Sequence, residues 1–179
     1  IPYSYRAGIE LYGSAKITDW LRWDLSATLC DNRILGFKEY ADVFDANWNW
    51  NSQQMNDLGN TTIAFSPNFL LNSNFVFKQG NFEAGLQSQN VGKQYIDNTG
   101  SDDRALNAYL VNNLRLSYEL PVKGLRGINF TIMVNNLLDA SYISNAWVYS
   151  YYLAGTRLND FGYYPQAGRN FLAGITVKL

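Results

Sequence analysis

The 179-residue sequence contains no histidine and a single cysteine. Without histidine, Ser-His-Asp triads, HExxH zinc sites and facial triads are excluded. One cysteine cannot build an internal disulfide framework or a Cys-rich zinc site. Charge is also scarce, at 16% Asp, Glu, Lys and Arg, against about 25% in a typical soluble domain. The 14 basic and 15 acidic residues nearly cancel, which leaves no basic footprint for nucleic acid. No uncharged apolar run approaches the roughly 20 residues of a spanning helix, and the mean hydropathy is −0.23. The chain starts at Ile1-Pro2-Tyr3 without Met, a basic n-region or an apolar h-region, so no signal peptide is expected in this piece. What the sequence has in excess is aromatic: 16% of residues, with 13 Tyr and 5 Trp.

Seven segments alternate with a period of two, the pattern of strands with two unlike faces. They run from Tyr5 to Lys16, Leu21 to Cys30, Phe69 to Lys78, Phe82 to Gln89, Asn113 to Leu120, Ile128 to Asn135 and Asn170 to Leu179. In the second, for example, Leu21, Trp23, Leu25, Ala27 and Leu29 alternate with Arg22, Asp24, Ser26, Thr28 and Cys30. Arg6, Glu10, Lys16, Arg22, Asp24, Lys78, Glu83, Arg115, Glu119 and Lys178 all fall on the polar parity, and no charge falls on the apolar parity. Such sorting requires that a charge on the apolar face be costly. A dry core imposes that cost in a soluble sandwich, and lipid imposes it in a membrane barrel.

Connection lengths separate the two. Ile17 to Trp20, Gln79 to Asn81 and Pro121 to Gly127 are short; Arg33 to Asn60, Ile96 to Asn107 and Ala140 to Pro165 are long. Short and long alternate strictly, so antiparallel strands would put all short turns at one end and all long loops at the other. That is the arrangement of outer-membrane barrels, and structureless loops of such length are uncommon in soluble domains. Trp20, Trp23, Phe77, Phe82 and Tyr118 lie near the short-turn end, where a membrane–water girdle would use them. The fold expected is therefore all-β: an antiparallel transmembrane β-barrel segment of about seven strands, each close to the 9–11 residues that cross the hydrocarbon layer. Seven is odd, and with short turns in the periplasm the first strand starts from outside. Residues 1–179 are thus read as the C-terminal portion of a larger barrel, because an unpaired edge is not tolerated in lipid.

Two stretches near the end carry a resemblance. Val134-Asn135-Asn136-Leu137-Leu138-Asp139-Ala140-Ser141-Tyr142 resembles the penultimate-strand motif of TonB-dependent outer-membrane receptors. Gln166-Ala167-Gly168-Arg169-Asn170-Phe171 resembles their Pro-Gly-Arg motif, with Ala167 in place of the usual Pro. The stretches from Ser144 to Tyr149 and from Tyr163 to Gln166 are similar to versions found in gut Bacteroidetes, and Leu179 keeps an apolar terminal residue on the lipid parity. The resemblance implies a receptor of about 22 strands with a plug inside the lumen and an upstream TonB box. It also implies a Gram-negative outer-membrane location and uptake of a scarce nutrient such as a siderophore, cobalamin or glycan. Expected partners are outer-membrane lipid, the receptor's own plug domain and upstream strands, TonB, a small ligand and a surface lipoprotein.

The long connections are rich in aromatic residues. Trp48, Trp50, Trp147, Tyr149, Tyr151 and Tyr152 are the candidate ligand contacts, since exposed rings can stack on sugars, siderophores or corrinoids. The competing reading is an upper girdle with loop-to-loop packing. Trp48 and Trp50 stand out because they share a parity and are flanked by Asn47, Asn49 and Asn51. Both of the first two long connections are net acidic, which favours a neutral or weakly charged ligand. The oxygen-rich stretch Asp97 to Asp103 suits a hard cation or, more simply, a flexible polar loop. Arg6, Glu10, Arg22, Asp24, Arg115 and Glu119 are expected to face the lumen and plug, or to pair across strands. Cys30 is expected to be an isolated thiol and Arg169 structural. No nucleophile with an orienting base is evident, and neither a catalytic role nor a cofactor or metal is expected. Two alternatives remain: a passive porin-like barrel and a soluble β-sandwich that binds carbohydrate.

Overall fold

The computed structural model describes residues 3–179. In chain order the strands are β1 (Tyr3–Lys16), β2 (Leu21–Phe44), β3 (Trp50–Thr62), β4 (Phe69–Gln79), β5 (Phe82–Val91), β6 (Gln94–Tyr95), β7 (Ala105–Leu106), β8 (Tyr109–Leu120), β9 (Gly127–Asn135), β10 (Ile143–Leu153), β11 (Thr156–Pro165) and β12 (Asn170–Lys178). The seven alternating segments become one antiparallel wall in the order β1-β2-β4-β5-β8-β9-β12. The wall curls into a half-barrel. All three short turns lie at one end and all three long connections at the other.

Register decides which side chains share a face, because a slip of one residue would invert a whole strand. Here the phase is held through all six pairs. Leu25 lies opposite Ser73, Trp23 opposite Phe75 and Leu21 opposite Phe77. Leu86 lies opposite Leu114, Leu116 opposite Ile132 and Phe130 opposite Ile175. The polar parity is equally continuous, with Lys78 opposite Glu83, Asn74 opposite Gln87 and Gln87 opposite Asn113. A concavity of about 590 Å³ near the short turns is lined by Arg22, Asn74, Lys78, Glu83, Gln87, Asn113 and Arg115, so the polar parity is the inner one.

The outer rows are not packed into a core. Ile9, Leu11, Ile132 and Ile175 are each half-exposed or more, and no second sheet lies against them among the described residues. A self-contained sandwich would bury these rows between two sheets. Aromatic rings mark the lower rim: Trp20 meets Phe77 at 5.4 Å between centroids, and Phe77 meets Phe82 at 6.1 Å. Trp23 stacks on Phe75 and donates from Nε1 to the Ser73 hydroxyl at 2.9 Å. At the upper end the apolar row stops at Leu29. The next outer positions are Asp31 and Arg33, which pair at 2.7 Å, and Tyr5 donates its hydroxyl to Asp31.

The long connections depart from expectation. The stretches Arg33 to Asn60 and Ala140 to Pro165 are expected to be loops, yet both are β-hairpins. β2 runs on beyond the wall to pair with β3, and β10 pairs with β11. The described residues thus form twelve strands, of which seven form the wall. In β10 both faces are largely apolar, so no polarity alternation betrays the strand. In upper β2 the alternation is broken by a bulge at Leu35–Gly36, where register shifts and Gly36 takes φ +66°. Below the bulge the even-numbered residues Asn32 and Ile34 are buried; above it the odd-numbered Glu39 and Ala41 are. The extra residue changes the phase of the strand and turns Glu39 onto the covered inner side.

The buried apolar residues gather under these connections rather than in the wall. Ile96, Leu106 and Ala146 form a small core with Ile143, Val148 and Phe161 against it. Val91 and Val111, inner residues at the mouth end of β5 and β8, are also buried. The connections therefore fold inward as a crown over the inner face.

Gly36 gives a test of the bulge. A Cβ there meets no atom within 4 Å, so a side chain is opposed only by the positive φ. Gly36→Val should cost about 1–3 kcal/mol and raise hydrogen exchange in the crown. Gly85→Ala, in equally open space at ordinary φ, should leave crown exchange unchanged.

Candidate functional site

The crown is held by one charged cluster. Glu39 Oε1 accepts from Arg104 Nη1 at 2.9 Å and from Arg157 Nη2 at 2.6 Å. Its Oε2 accepts from Arg157 Nη2 at 2.8 Å and from Asn56 Nδ2 at 3.1 Å. Arg104 Nη1 also reaches Asp97 at 2.8 Å, and Nη2 donates to Asn159 Oδ1 at 3.0 Å. Arg104 is 3% exposed and its Nε has no partner. Two guanidinium groups face two carboxylates, so the cluster is neutral while it joins all three long connections. Burial pushes the Glu39 carboxyl up, but hydrogen bonds from Arg157, Arg104 and Asn56 outweigh it and hold the group below its ordinary value.

The candidate aromatic residues divide into two sets. Trp48, Trp50, Tyr149 and Tyr151 come together around Asp42, with Phe44. Trp48 lies 5.7 Å from Tyr151 and 6.0 Å from Phe44, and Tyr149 stacks on Tyr151 at 5.3 Å. Asp42 accepts from Trp50 Nε1 at 3.2 Å, Gln53 Nε2 at 3.1 Å and the Tyr149 hydroxyl at 2.9 Å. These donors, Tyr149 first, lower the Asp42 pKa, and the same contact raises that of Tyr149. Trp147 lies farther along the same hairpin face. It rests on Gly162, where any Cβ would overlap the indole. Tyr152 points to the opposite face, with the Arg157 guanidinium 5.9 Å from its ring.

Trp48 and Trp50 do not share a strand parity. Trp48 sits in the β2–β3 turn at φ +64°, and only Trp50 belongs to β3. Two of the flanking asparagines shape that turn: the backbone N–H groups of Asn47 and Asn49 and the Asn49 side-chain amide all donate to Asp45. Both tryptophans remain well exposed, at 59% each.

The six candidate lumen residues lie on the inner parity, and all but Glu10 engage a neighbouring side chain. Arg22 meets Asp24 at 3.1 Å, and Ser14 donates to Asp24 at 2.6 Å. Arg115 reaches Glu83 at 3.4 Å, Glu119 takes Lys178 at 2.7 Å, and Arg6 donates to Ser66 at 3.0 Å. Glu10 lies opposite Thr28. Cys30 is a free thiol that donates to the Pro67 carbonyl. The stretch Asp97 to Asp103 is structured. Asp97 accepts from Thr99 and Arg104, Asp102 takes Lys93, and the turn is closed by the β6–β7 ladder.

The two sequence motifs near the end meet in space. Asn136 is buried at φ +52°. Its side chain donates to the carbonyls of Ala140 at 2.8 Å and Ala167 at 3.2 Å and accepts from the Ala140 N–H. Asp139 accepts from the Arg169 N–H at 2.7 Å and lies 3.8 Å from its guanidinium. They tie the turn after β9 to the turn before β12.

No protein-family model matches the sequence, and no curated protein matches it. The fold is similar to solved receptor structures. The siderophore receptor PiuA from Acinetobacter baumannii superposes with a TM-score of 0.72 at 17% identity, over 98% of this chain and 22% of that one. The ferric-catecholate import receptor Fiu from E. coli K12 gives 0.62 at 17% identity, over 96% and 20%. The ferric yersiniabactin uptake receptor FyuA from Yersinia pestis gives 0.57 at 17% identity, over 96% and 23%. The chain therefore spans about a fifth of the length of these receptors, and its fold is that of a stretch of their barrels.

The cluster predicts a pH response. A carboxylate held below its ordinary value stabilises the folded form at pH above that value, and the contribution disappears as pH falls through the folded value. Crown amides in 37–60, 94–106 and 143–165 should lose protection as pH drops below the ordinary Glu39 value of 4.5. Wall amides in β9 and β12 should not follow. Hydrogen exchange measured from pH 7 to pH 3 checks this.

Proposed function

We propose that this chain is a stretch of the wall and extracellular crown of a TonB-dependent outer-membrane receptor, one that takes up a small nutrient. The observation that carries the reading is the uncovered apolar outer face, bounded by aromatic rings below and by Asp31 and Arg33 above. In water such a continuous surface is a liability. In lipid it is the required outer surface of a barrel, with a polar interior behind it. The fold likeness to a siderophore receptor, a ferric-catecholate import receptor and a ferric yersiniabactin uptake receptor supports the same assignment.

On this reading the outer rows contact outer-membrane lipid, and the inner rows face the receptor's own plug domain and upstream strands. TonB acts through the remainder of the receptor. Trp48, Trp50 and Tyr149 form the ring surface offered to the ligand, with Trp147 beside it; Tyr151, 5% exposed, is buried behind them rather than a ligand contact, and Tyr152 serves the crown. The ligand belongs to the siderophore, cobalamin or glycan classes. Arg104 and Arg157 are already neutralised by carboxylates, which favours a neutral or weakly charged member. A surface lipoprotein is a further partner of the crown. The role is binding and passage rather than catalysis.

A paired substitution in the full-length receptor tests the face assignment. Ile175 is 68% exposed on the outer row, and Thr176 follows it on the inner row. Ile175→Arg should lower insertion stability by about 2–4 kcal/mol near the bilayer midplane. Thr176→Arg should be much milder. The check is the yield of folded receptor in outer-membrane fractions, and equal losses would overturn the assignment.

A further inference from the structure

The β10–β11 hairpin starts and ends at the β9–β12 side of the wall, yet its tip touches β2. From β9 to β2 is four interstrand steps, through β8, β5 and β4, or roughly 19 Å along the wall at about 4.8 Å per step. At the tip, Tyr151, Tyr152 and Leu153 pair in parallel with Asp42, Val43 and Phe44, and the Ala154 N–H donates to the Phe44 carbonyl at 3.0 Å. The hairpin does not cross empty space. Gln94 donates to the Ser144 carbonyl at 3.2 Å, and Ile96 and Leu106 pack under Ala146. Ile34, Val91 and Val111, inner-row residues at the mouth, are buried as well.

The two ends of this strap are held differently. Its root is stapled by Asn136 and Asp139, whose partners lie in the adjoining turns. Its tip is held by a parallel ladder of three residue pairs, by Arg157 on Glu39 and by Tyr149 on Asp42. The polar tip contacts are open to water on one side only: Arg157 is one-third exposed and Tyr149 is exposed, while Glu39 is buried and Tyr151 packs on Phe44 and Trp48. The root contacts are local and close short turns. An element with one fixed end and one exchangeable end opens by swinging about the fixed end.

We infer that the β10–β11 hairpin is a latch. It closes the extracellular end of the inner face in the resting protein, and Glu39 is the residue that holds it shut. Arg104 links the 94–106 connection to the same carboxylate, so releasing Glu39 frees the hairpin and that connection together. The inference rests on the receptor reading for its purpose, since a latch matters only if the inner face is a route for ligand. The motion itself does not depend on that reading.

The experiment uses the full-length protein in liposomes, without any ligand. Glu39→Gln is compared with the unaltered residue by hydrogen–deuterium exchange. The expected result is an increase on the order of tenfold shared by 37–60, 94–106 and 143–165, with β9 and β12 unchanged. An increase confined to 37–60 overturns the latch, and so does an increase that reaches the wall equally. The second measurement places a probe on a buried inner-row residue at the mouth, which the closed hairpin is inferred to cover. Val111→Cys, on a Cys30→Ser background, is labelled with a membrane-impermeant maleimide. Labelling should accelerate by a similar factor when Glu39→Gln is added. Equal rates would mean that the hairpin does not cover the inner face, which also overturns it. Neither readout involves uptake, so failure here leaves the receptor reading standing, and failure of the Ile175 and Thr176 comparison does not touch this one.

Discussion

Everything in this molecule depends on the phase of side-chain alternation in its strands. A strand offers alternate residues to each face and has no other choice. Six successive wall pairs keep one phase, and this makes a surface that is apolar outside and polar inside from β1 to β12. One slip in any pair would have put Arg22 or Arg115 among leucines. The phase changes once within β2, at the Gly36 bulge, and it does so above the outer Asp31–Arg33 pair that ends the apolar row. There the change no longer places a charge on the apolar surface. Instead it delivers Glu39 to the inner side, where two arginines from distant parts of the chain can reach it.

The crown is stabilised differently from the wall. The wall has long ladders of backbone hydrogen bonds and no dry interior of its own. The crown holds the small apolar core and the buried ion cluster. Buried ion pairs contribute little net stability, because desolvation offsets attraction, but removing one partner leaves an uncompensated charge and is costly. The cluster therefore acts more on geometry than on stability. Glu39 brings the β2–β3 hairpin, the 94–106 connection and the β10–β11 hairpin to one arrangement.

The wall was legible in the sequence because its signal is local. Alternation is read along each strand, and the separation of charged from apolar parities agrees across all seven. The position of the two end motifs was also legible, although their meaning was not: Asn136 and Asp139 act on each other's neighbouring turns, and this appears only in space. The crown was largely hidden. Residues 143–153 read as an aromatic loop because both faces of β10 are apolar, one for the core and one for the exposed ring surface. Upper β2 was obscured by its own bulge, which cancels the alternation over a window that includes both phases. The charged cluster joins positions 39, 97, 104, 157 and 159, and no spacing rule links residues so far apart. Of the candidate aromatic group, four residues do converge, but Tyr152 is on the far side of a strand that the sequence did not disclose.

The two ends of the inner face are unlike. Near the short turns it is an open polar concavity, and near the long connections its rows are covered by folded chain. A passive pore has little use for a cover tethered through a buried carboxylate, since diffusion requires a clear path at all times. A receptor that admits one ligand and then releases it inward needs a mouth that can be both occupied and cleared. Under the reading proposed above, the crown meets both needs with the same residues. Asp42 fixes Trp50 and Tyr149 into the exposed ring surface and also helps hold the hairpin tip. A ligand that draws Tyr149 away from Asp42 would weaken the tip contact, so recognition and opening share an atom. This coupling needs no long pathway through the protein; it requires only that the ring surface and the latch be built on the same two hairpins.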